Sequence, residues 1–273
     1  MNSKIKNKLA LNKRLTLLIP YIIIAIFLIL LPIIMIIVHA FTYSNNDALL
    51  KDKTTWSIIG RSLRIGIASS IICLLLGFPY AYFIAMSKSK LLPIYGMSLI
   101  LSPMIIFTIA KIYSIRGFFV TVVGEGPINS EWFMVLGLTY LNLPYMIMPL
   151  YSVFRDMPKN IIEASQDLGY NRFQTLFKVV IPYSAKAIVS GFGLIFLSSA
   201  TTFVISNKLL PNGLQLQTIG SVINNYTNPS NAYELSLGST LVLVVSAIFI
   251  GCYALIHLIP RLIIKLKRGG SYE

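Results

Sequence analysis

Charge is scarce in this 273-residue chain, and negative charge scarcer still. Charged residues make up 12% of it, with nine acids against 23 lysines and arginines. The acids are Asp47, Asp52, Glu125, Glu131, Asp156, Glu163, Asp167, Glu234 and Glu273, and none falls deep inside an apolar run. Carboxylates within a membrane are the usual mark of proton or ion relays, so their absence argues against a proton-driven secondary transporter and an intramembrane protease. Also missing are the phosphate loop G-x-x-x-x-G-K-[ST] and the H-E-x-x-H, G-x-S-x-G and paired-cysteine zinc spacings. The chain is therefore expected to have no catalytic residues, to bind no metal or cofactor of its own, and to hydrolyse no ATP by itself. The only histidines, His39 and His257, sit near the ends of apolar runs and read as interfacial residues. The two cysteines, Cys73 and Cys252, lie inside such runs and read as buried thiols, which say nothing about the compartment.

What is abundant is hydrophobic sequence, 56% of the chain. Residues 1–14 carry Lys4, Lys6, Lys8, Lys13 and Arg14 and precede an apolar run that ends at Ala40. That run is too long for the core of a signal peptide, which spans about 7 to 15 residues, and reads as a retained first span. Further runs cover about 62–86, 91–110, 132–154, 184–206 and 235–260. As helices each reaches across roughly 30 Å of hydrocarbon. The expected fold is thus all-α and polytopic, with six transmembrane helices over 15–260, a basic amino-terminal segment 1–14 and a tail 261–273. The net charge of +14 is no nucleic-acid footprint, because the bases gather at the ends of the spans. With the amino terminus inside, sixteen of the 23 fall on the inner face. The positive-inside rule then predicts both termini, and the loop 155–183, in the cytoplasm.

Two outward segments exceed simple turns. Residues 111–131 have an apolar part too short to span, ending in Gly124, Gly126 and Pro127, and read as an interfacial or re-entrant piece. Residues 207–234 are polar and rich in Asn, with a weakly apolar patch at 214–223. Each segment either meets an external partner or merely connects spans.

One polar stretch between two strongly apolar runs, 163–182, has a pattern of its own. Pro158 suits the first turn of a short helix, with Asp156 available to cap, and Ile161, Ser165 and Leu168 fall on one side of it. Gly169 is best able to take the left-handed turn that ends it. Phe173, Leu176, Phe177 and Val180 then recur at helical spacing as an amphipathic stripe. The spacing predicts two short helices joined at Gly169, with Pro182 opening the next long one. Periodicity alone fits equally an ordinary loop with an interfacial helix.

Glu163, Ala164 and Gly169, followed by Val179, Ile181 and Pro182, resemble the EAA signature of the membrane subunits of bacterial ABC importers. The spacing agrees throughout, with Ser165 in place of the second alanine. The passages 76–85, 111–119 and 140–154 resemble the first permease subunit of spermidine/putrescine importers, so the likeness runs from about residue 15 to 260. It implies the type I ABC importer permease (MetI-like) fold in a bacterial inner membrane. The implied partners are a second permease subunit, two ATPase subunits that bind ATP and Mg, and an external substrate-binding protein. It further implies that Glu163, Ala164, Ser165, Asp167, Gly169, Phe173, Leu176, Phe177 and Pro182 couple the chain to the ATPase.

For the path itself, Tyr140, Asn142, Pro144, Tyr145 and Pro149 form the first candidate cluster, since prolines within a span free carbonyls that must face protein or water. Tyr113, Thr201, Thr202 and Asn207 complete the candidates. Relatives often show an aspartate where this chain has Asn207. A dication would then rely on carbonyls, amides and cation–π contact with Tyr113, Tyr140 and Tyr145. An importer of another solute, such as an oxyanion, iron or thiamine, is the alternative within the class. A passive channel or scaffold is the alternative outside it.

Overall fold

The computed structural model describes the backbone of residues 3–43, 47–213 and 215–269, and the side chains of 18–43, 47–158, 160–213 and 215–258. The basic side chains of the segment 1–14, those of the tail 261–273, and Leu214 lie outside the described residues. Among the described residues there are helices and turns but no strand. In chain order the helices are α1 Ser3–Ala40, α2 Ala48–Lys51, α3 Lys53–Met86, α4 Leu91–Ile105, α5 Thr108–Val123 and α6 Glu125–Ile128. Then come α7 Glu131–Arg155, α8 Lys159–Asp167, α9 Arg172–Thr175, a π-helical turn Leu176–Val180, α10 Ile181–Ala200, α11 Val204–Leu209, α12 Ile219–Asn225 and α13 Ala232–Gly269. Helix α1 therefore begins well before Leu15, and α13 continues past residue 260. Helix α3 starts at Lys53 rather than residue 62, because Asp52 caps it, accepting from the Thr54 N–H at 2.9 Å.

The chain divides into two compact units, Met1–Lys51 with Asn225–Val245, and Asp52–Asn224 with Ser246–Glu273. In the first, α1 buries no residue from Leu18 to His39 within the chain, a surface suited to lipid or to another subunit, and only Ala40 at its end is enclosed. The Thr240 hydroxyl donates to the Ala40 carbonyl at 3.2 Å, and the rings of Tyr43 and Tyr233 meet edge to face at 5.9 Å.

The second unit is built on α3, α7 and α10, with α7 the most enclosed of the long apolar helices at 61% buried. Lipid tails are as apolar as leucine, so membrane helices associate through close packing of small residues rather than through a hydrophobic drive. Helix α3 follows that rule: Ser62, Gly66, Ser70, Cys73, Gly77 and Ala81 are all buried along one side of it. Its other side shows Ile71, Leu75 and Phe83 to the surroundings. Met146 of α7 fills the space that Gly77 and Gly191 leave; a Cβ at either would come within 3.0 Å of it. Toward the α8 end, Phe154 takes edge-on contacts from Phe78 at 5.2 Å and Tyr82 at 5.5 Å.

The expected third span, 91–110, is not one straight helix. Helix α4 has 15 residues, about 22 Å at 1.5 Å per residue, and turns by 100° into α5. Pro103 has no N–H for the Leu99 carbonyl, which the Ser102 hydroxyl takes instead at 3.1 Å, and Ile106 and Phe107 are extended. Among the described residues, five helices are thus long and apolar enough to span, and the bent pair makes six if it counts as one. The piece 111–131 is mostly helix α5, ended by Gly124 at φ +84° and packed on α7 through Phe119 and Phe133.

The polar connection after α10 is pinned down. Ser62 accepts the Ile219 N–H at 2.8 Å, and the Thr218 hydroxyl donates to the Thr202 carbonyl at 2.7 Å. Arg61 Nε pairs with Glu131 at 2.9 Å while its Nη1 donates to the Gln217 carbonyl, and Arg64 reaches the same Glu131 at 3.3 Å.

Candidate functional site

Between α7 and α10 the chain leaves the helical core for α8, α9 and the turns around them. Helix α8 starts one residue later than the sequence pattern suggests. Pro158 occupies the N-cap position and no side chain caps there. At its other end the Tyr170 N–H reaches back to the Ser165 carbonyl at 3.1 Å and the Gly169 N–H to Gln166 at 2.9 Å. This pair of bonds is a Schellman ending, and it requires the left-handed φ of +84° that Gly169 supplies. No atom lies within 4 Å of a Cβ added there, so glycine is required by backbone conformation and not by space. Asn171 then opens α9 with a capping box: its side chain accepts from the Gln174 N–H at 2.8 Å and the Gln174 side chain from the Asn171 N–H at 3.0 Å.

Ser165, which replaces the second alanine, lies 4% exposed against Thr175, 3% exposed. Its hydroxyl donates to the Ile162 carbonyl at 2.7 Å, so the 2.9 Å contact with Thr175 Oγ1 has Thr175 as donor. The pair stitches α8 to α9. Ser165→Ala orphans the buried Thr175 hydroxyl and Thr175→Val removes the bond between the helices, so either alone is expected to cost about 1 kcal/mol. The double variant should cost clearly less than the sum, as a double-mutant cycle on thermal unfolding reads.

The second short helix is not separate. Pro182 offers no N–H to the Lys178 carbonyl, and the turn before it widens to a π turn, the Ile181 N–H reaching Leu176 instead. Through that turn α9 runs into α10 as one helical rod, Arg172–Ala200. The expected stripe is therefore split. Val180 is buried and Leu176 half-buried, whereas Phe173 and Phe177 stand 76% and 64% exposed. Leu168 departs from its expected partners likewise: it is exposed while Ser165 is buried, because as the C-cap it has already left helical geometry.

Exposed together on α8 are Glu163, Ala164 and Asp167, the two acids one turn apart, followed by Leu168. A cleft of about 700 Å³ separates this unit from α3, with Phe78 and Tyr82 on one wall and Gln166, Arg172 and Phe173 on the other. The unit is held internally by its caps and by Ser165, and rests on the core through Ile161, Ile162 and Leu176, while its other side faces outward. Its outward surface presents an acidic helix face, Glu163 and Asp167, beside the bare side chains of Leu168, Phe173 and Phe177.

The path candidates do not gather on one surface. Asn142 is buried between α7 and α10, where its amide donates to Ser199 Oγ at 3.0 Å and its carbonyl accepts from Ser198 Oγ at 3.2 Å. Tyr140 and Tyr145, on other sides of α7, are 42% and 48% exposed, and Tyr113 on α5 is 47% exposed. Thr201 is exposed and donates to its own helix at the Leu197 carbonyl, Thr202 is half-buried, and exposed Asn207 accepts from the Ser221 hydroxyl at 3.2 Å. Sequence reasoning missed the Arg61, Arg64 and Glu131 cluster and the role of Thr175. The one signal for the cluster was an acid at the start of a span, directly after the N-cap residue Ser130.

Residues 10–268 match the family described as binding-protein-dependent transport system inner membrane component. The chain is 30% identical over 205 residues to the spermidine/putrescine transport system permease protein PotB homolog of Mycoplasma genitalium, covering 71% of each chain. It is 30% identical over 197 residues to PotB of Escherichia coli, covering 67% of this chain and 70% of that one. In three dimensions it is similar to a chain of a bacterial ABC transporter involved in import of the acidic polysaccharide alginate, with a TM-score of 0.65 at 15% identity, covering 96% and 98% of the two chains. It is similar also to a chain of the MetNI methionine ABC transporter, TM-score 0.57 at 14% identity, covering 79% and 98%. These likenesses establish the all-helical fold of ABC importer permeases. By the match across nearly its whole length, the chain belongs to the family of inner-membrane components of binding-protein-dependent transport systems.

Proposed function

We propose that the chain is one of two membrane-spanning permease subunits of an ATP-driven importer of polyamines, spermidine or putrescine, and forms half of the translocation path. The observation that carries the coupling half of this reading is α8, a short helix between two spans with a Schellman ending and an exposed acidic face. In this reading α8 seats in an ATPase subunit, one of two that bind ATP and Mg. A second permease subunit covers the exposed apolar helices, and an external binding protein delivers the solute. The chain lies in the bacterial inner membrane with α8 and both termini on the cytoplasmic side, as the distribution of its bases favours. It does no ATP hydrolysis itself.

Polyamine as solute is supported by the names of the relatives. The test is uptake of labelled spermidine by the reconstituted complex. Uptake that needs both ATP and the binding protein is the expected result. An assembled, ATP-hydrolysing complex that ignores spermidine and putrescine would keep the permease and reject the solute.

A further inference from the structure

At the end of α3 the chain turns through Ser87–Lys90 into α4, and the carboxyl end of α7 comes alongside. The three segments enclose a cleft of about 660 Å³ whose lining includes Lys88, Lys90 and Arg155 and no acid. None of the three cations forms an ion pair with a described residue. Ser87 and Ser89, also in the lining, accept the backbone N–H groups of Ser89 and Leu91, which leaves both hydroxyl protons free to donate. Tyr151 adds a third hydroxyl. Helix α4 begins at the same place, its first N–H taken by Ser89, and its positive dipole end adds to the field. Three cations with no ion pair to a described residue, three hydroxyls and the amino end of a helix make a site for a phosphoryl anion.

What lies next to the cleft decides which kind of anion it is. Ile94 belongs both to the lining and to the outer surface of α4, where it is 61% exposed, and Tyr95 and Leu99 beside it are 70% and 68% exposed. A soluble phosphate would have no use for that apolar surface, whereas a lipid sets its acyl chains there and its phosphate among the cations. Tyr80 fixes the arrangement by donating to the Gly96 carbonyl of α4 at 2.8 Å, which holds α4 against α3. Basic pockets between membrane helices on the cytoplasmic side bind anionic lipid headgroups.

We infer that this cleft binds the headgroup of an anionic phospholipid, with the acyl chains on the exposed face of α4. The placement in the cytoplasmic leaflet rests on the orientation proposed above; the binding itself does not. The test is therefore made in detergent, where leaflet sidedness plays no part. The full chain, with the subunits that co-purify, is titrated with phosphatidylglycerol or phosphatidylcholine and followed by native mass spectrometry. Saturable binding of phosphatidylglycerol, preferred over phosphatidylcholine and weakened at least about tenfold in Lys88→Gln/Lys90→Gln/Arg155→Gln, is the expected result. Lys51→Gln/Lys53→Gln should change nothing, and Arg155→Lys, which keeps the charge if the triple variant folds poorly, should retain most of the binding. No preference for the anionic lipid, or a preference unchanged in the triple variant and in Arg155→Gln alone, would overturn the inference. So would displacement of the lipid by millimolar inorganic phosphate, which would mark a free-anion site, or loss of a co-purifying subunit in place of lipid, which would mark a protein contact.

Discussion

Gly169→Pro is expected to leave the chain inserted and folded but to abolish ATP-driven uptake. Proline cannot adopt the φ of +84° found there, and it removes the N–H that bonds Gln166. The Schellman ending that fixes α8 relative to α9 would be lost, at about 3 kcal/mol. Each 1.4 kcal/mol is a factor of ten in population, so the correctly aimed α8 would fall roughly a hundredfold. Gly169→Ala provides the graded comparison. Nothing stands in the way of its Cβ, so only the left-handed backbone is penalised, at about 1 kcal/mol, and uptake should fall only a few-fold. The measurements are uptake and ATPase activity side by side in proteoliposomes. A proline variant that hydrolyses ATP without transport, beside an alanine variant of intermediate activity, would show that the turn aims a coupling element. Normal uptake by the proline variant would remove α8 from the mechanism.

Gly66→Leu acts at the opposite level, on the fold. A Cβ at this position of α3 would lie 2.9 Å from Cβ of Ala200 and 3.2 Å from the backbone carbonyl of Phe196. A backbone neighbour cannot rotate away, so the larger side chain must push α3 and α10 apart. Overpacking of this kind costs about 3 kcal/mol. In a membrane no hydrophobic drive offsets it, because the exposed alternative is equally apolar. The expected outcome is a large drop in detergent-solubilised folded protein and in its unfolding temperature. Leu75→Ala, on the exposed side of the same helix, should remain within about 0.5 kcal/mol of the parent. Equal stability of Gly66→Leu and Leu75→Ala would contradict the three-helix core.

The features readable in the sequence were those with a local cause. Apolar runs of spanning length located the helices, and a glycine between two amphipathic segments located the positive-φ turn at Gly169. The corrections share a cause too: proline acts on its neighbours in ways that composition does not register. Pro182 stands in the first turn of α10 as its position in the sequence suggests, but it also widens the turn before it to a π turn, and Phe173 and Phe177 are exposed where Val180 is buried. With Ser102 taking the carbonyl freed by Pro103, the apolar run 91–110 folds as two helices bent by 100° and not one straight span. Long-range pairs were invisible for a different reason. Nothing near Ser165 marks Thr175 as its partner, and Asn142 looks the same in sequence whether it lines a path or, as in the structure, joins α7 to α10 through Ser198 and Ser199.

The central claim, that α8 is where the chain meets its motor, is tested most directly by placing a photo-reactive side chain at Ala164, which is exposed, and irradiating cells that express the whole transport system. The account predicts a covalent adduct with an ATPase subunit, its yield changing when ATP hydrolysis is blocked, while the same group at the exposed Leu75 of α3 gives no such adduct. Adducts at Ala164 with lipid or water only, in cells where the ATPase is present, would contradict it.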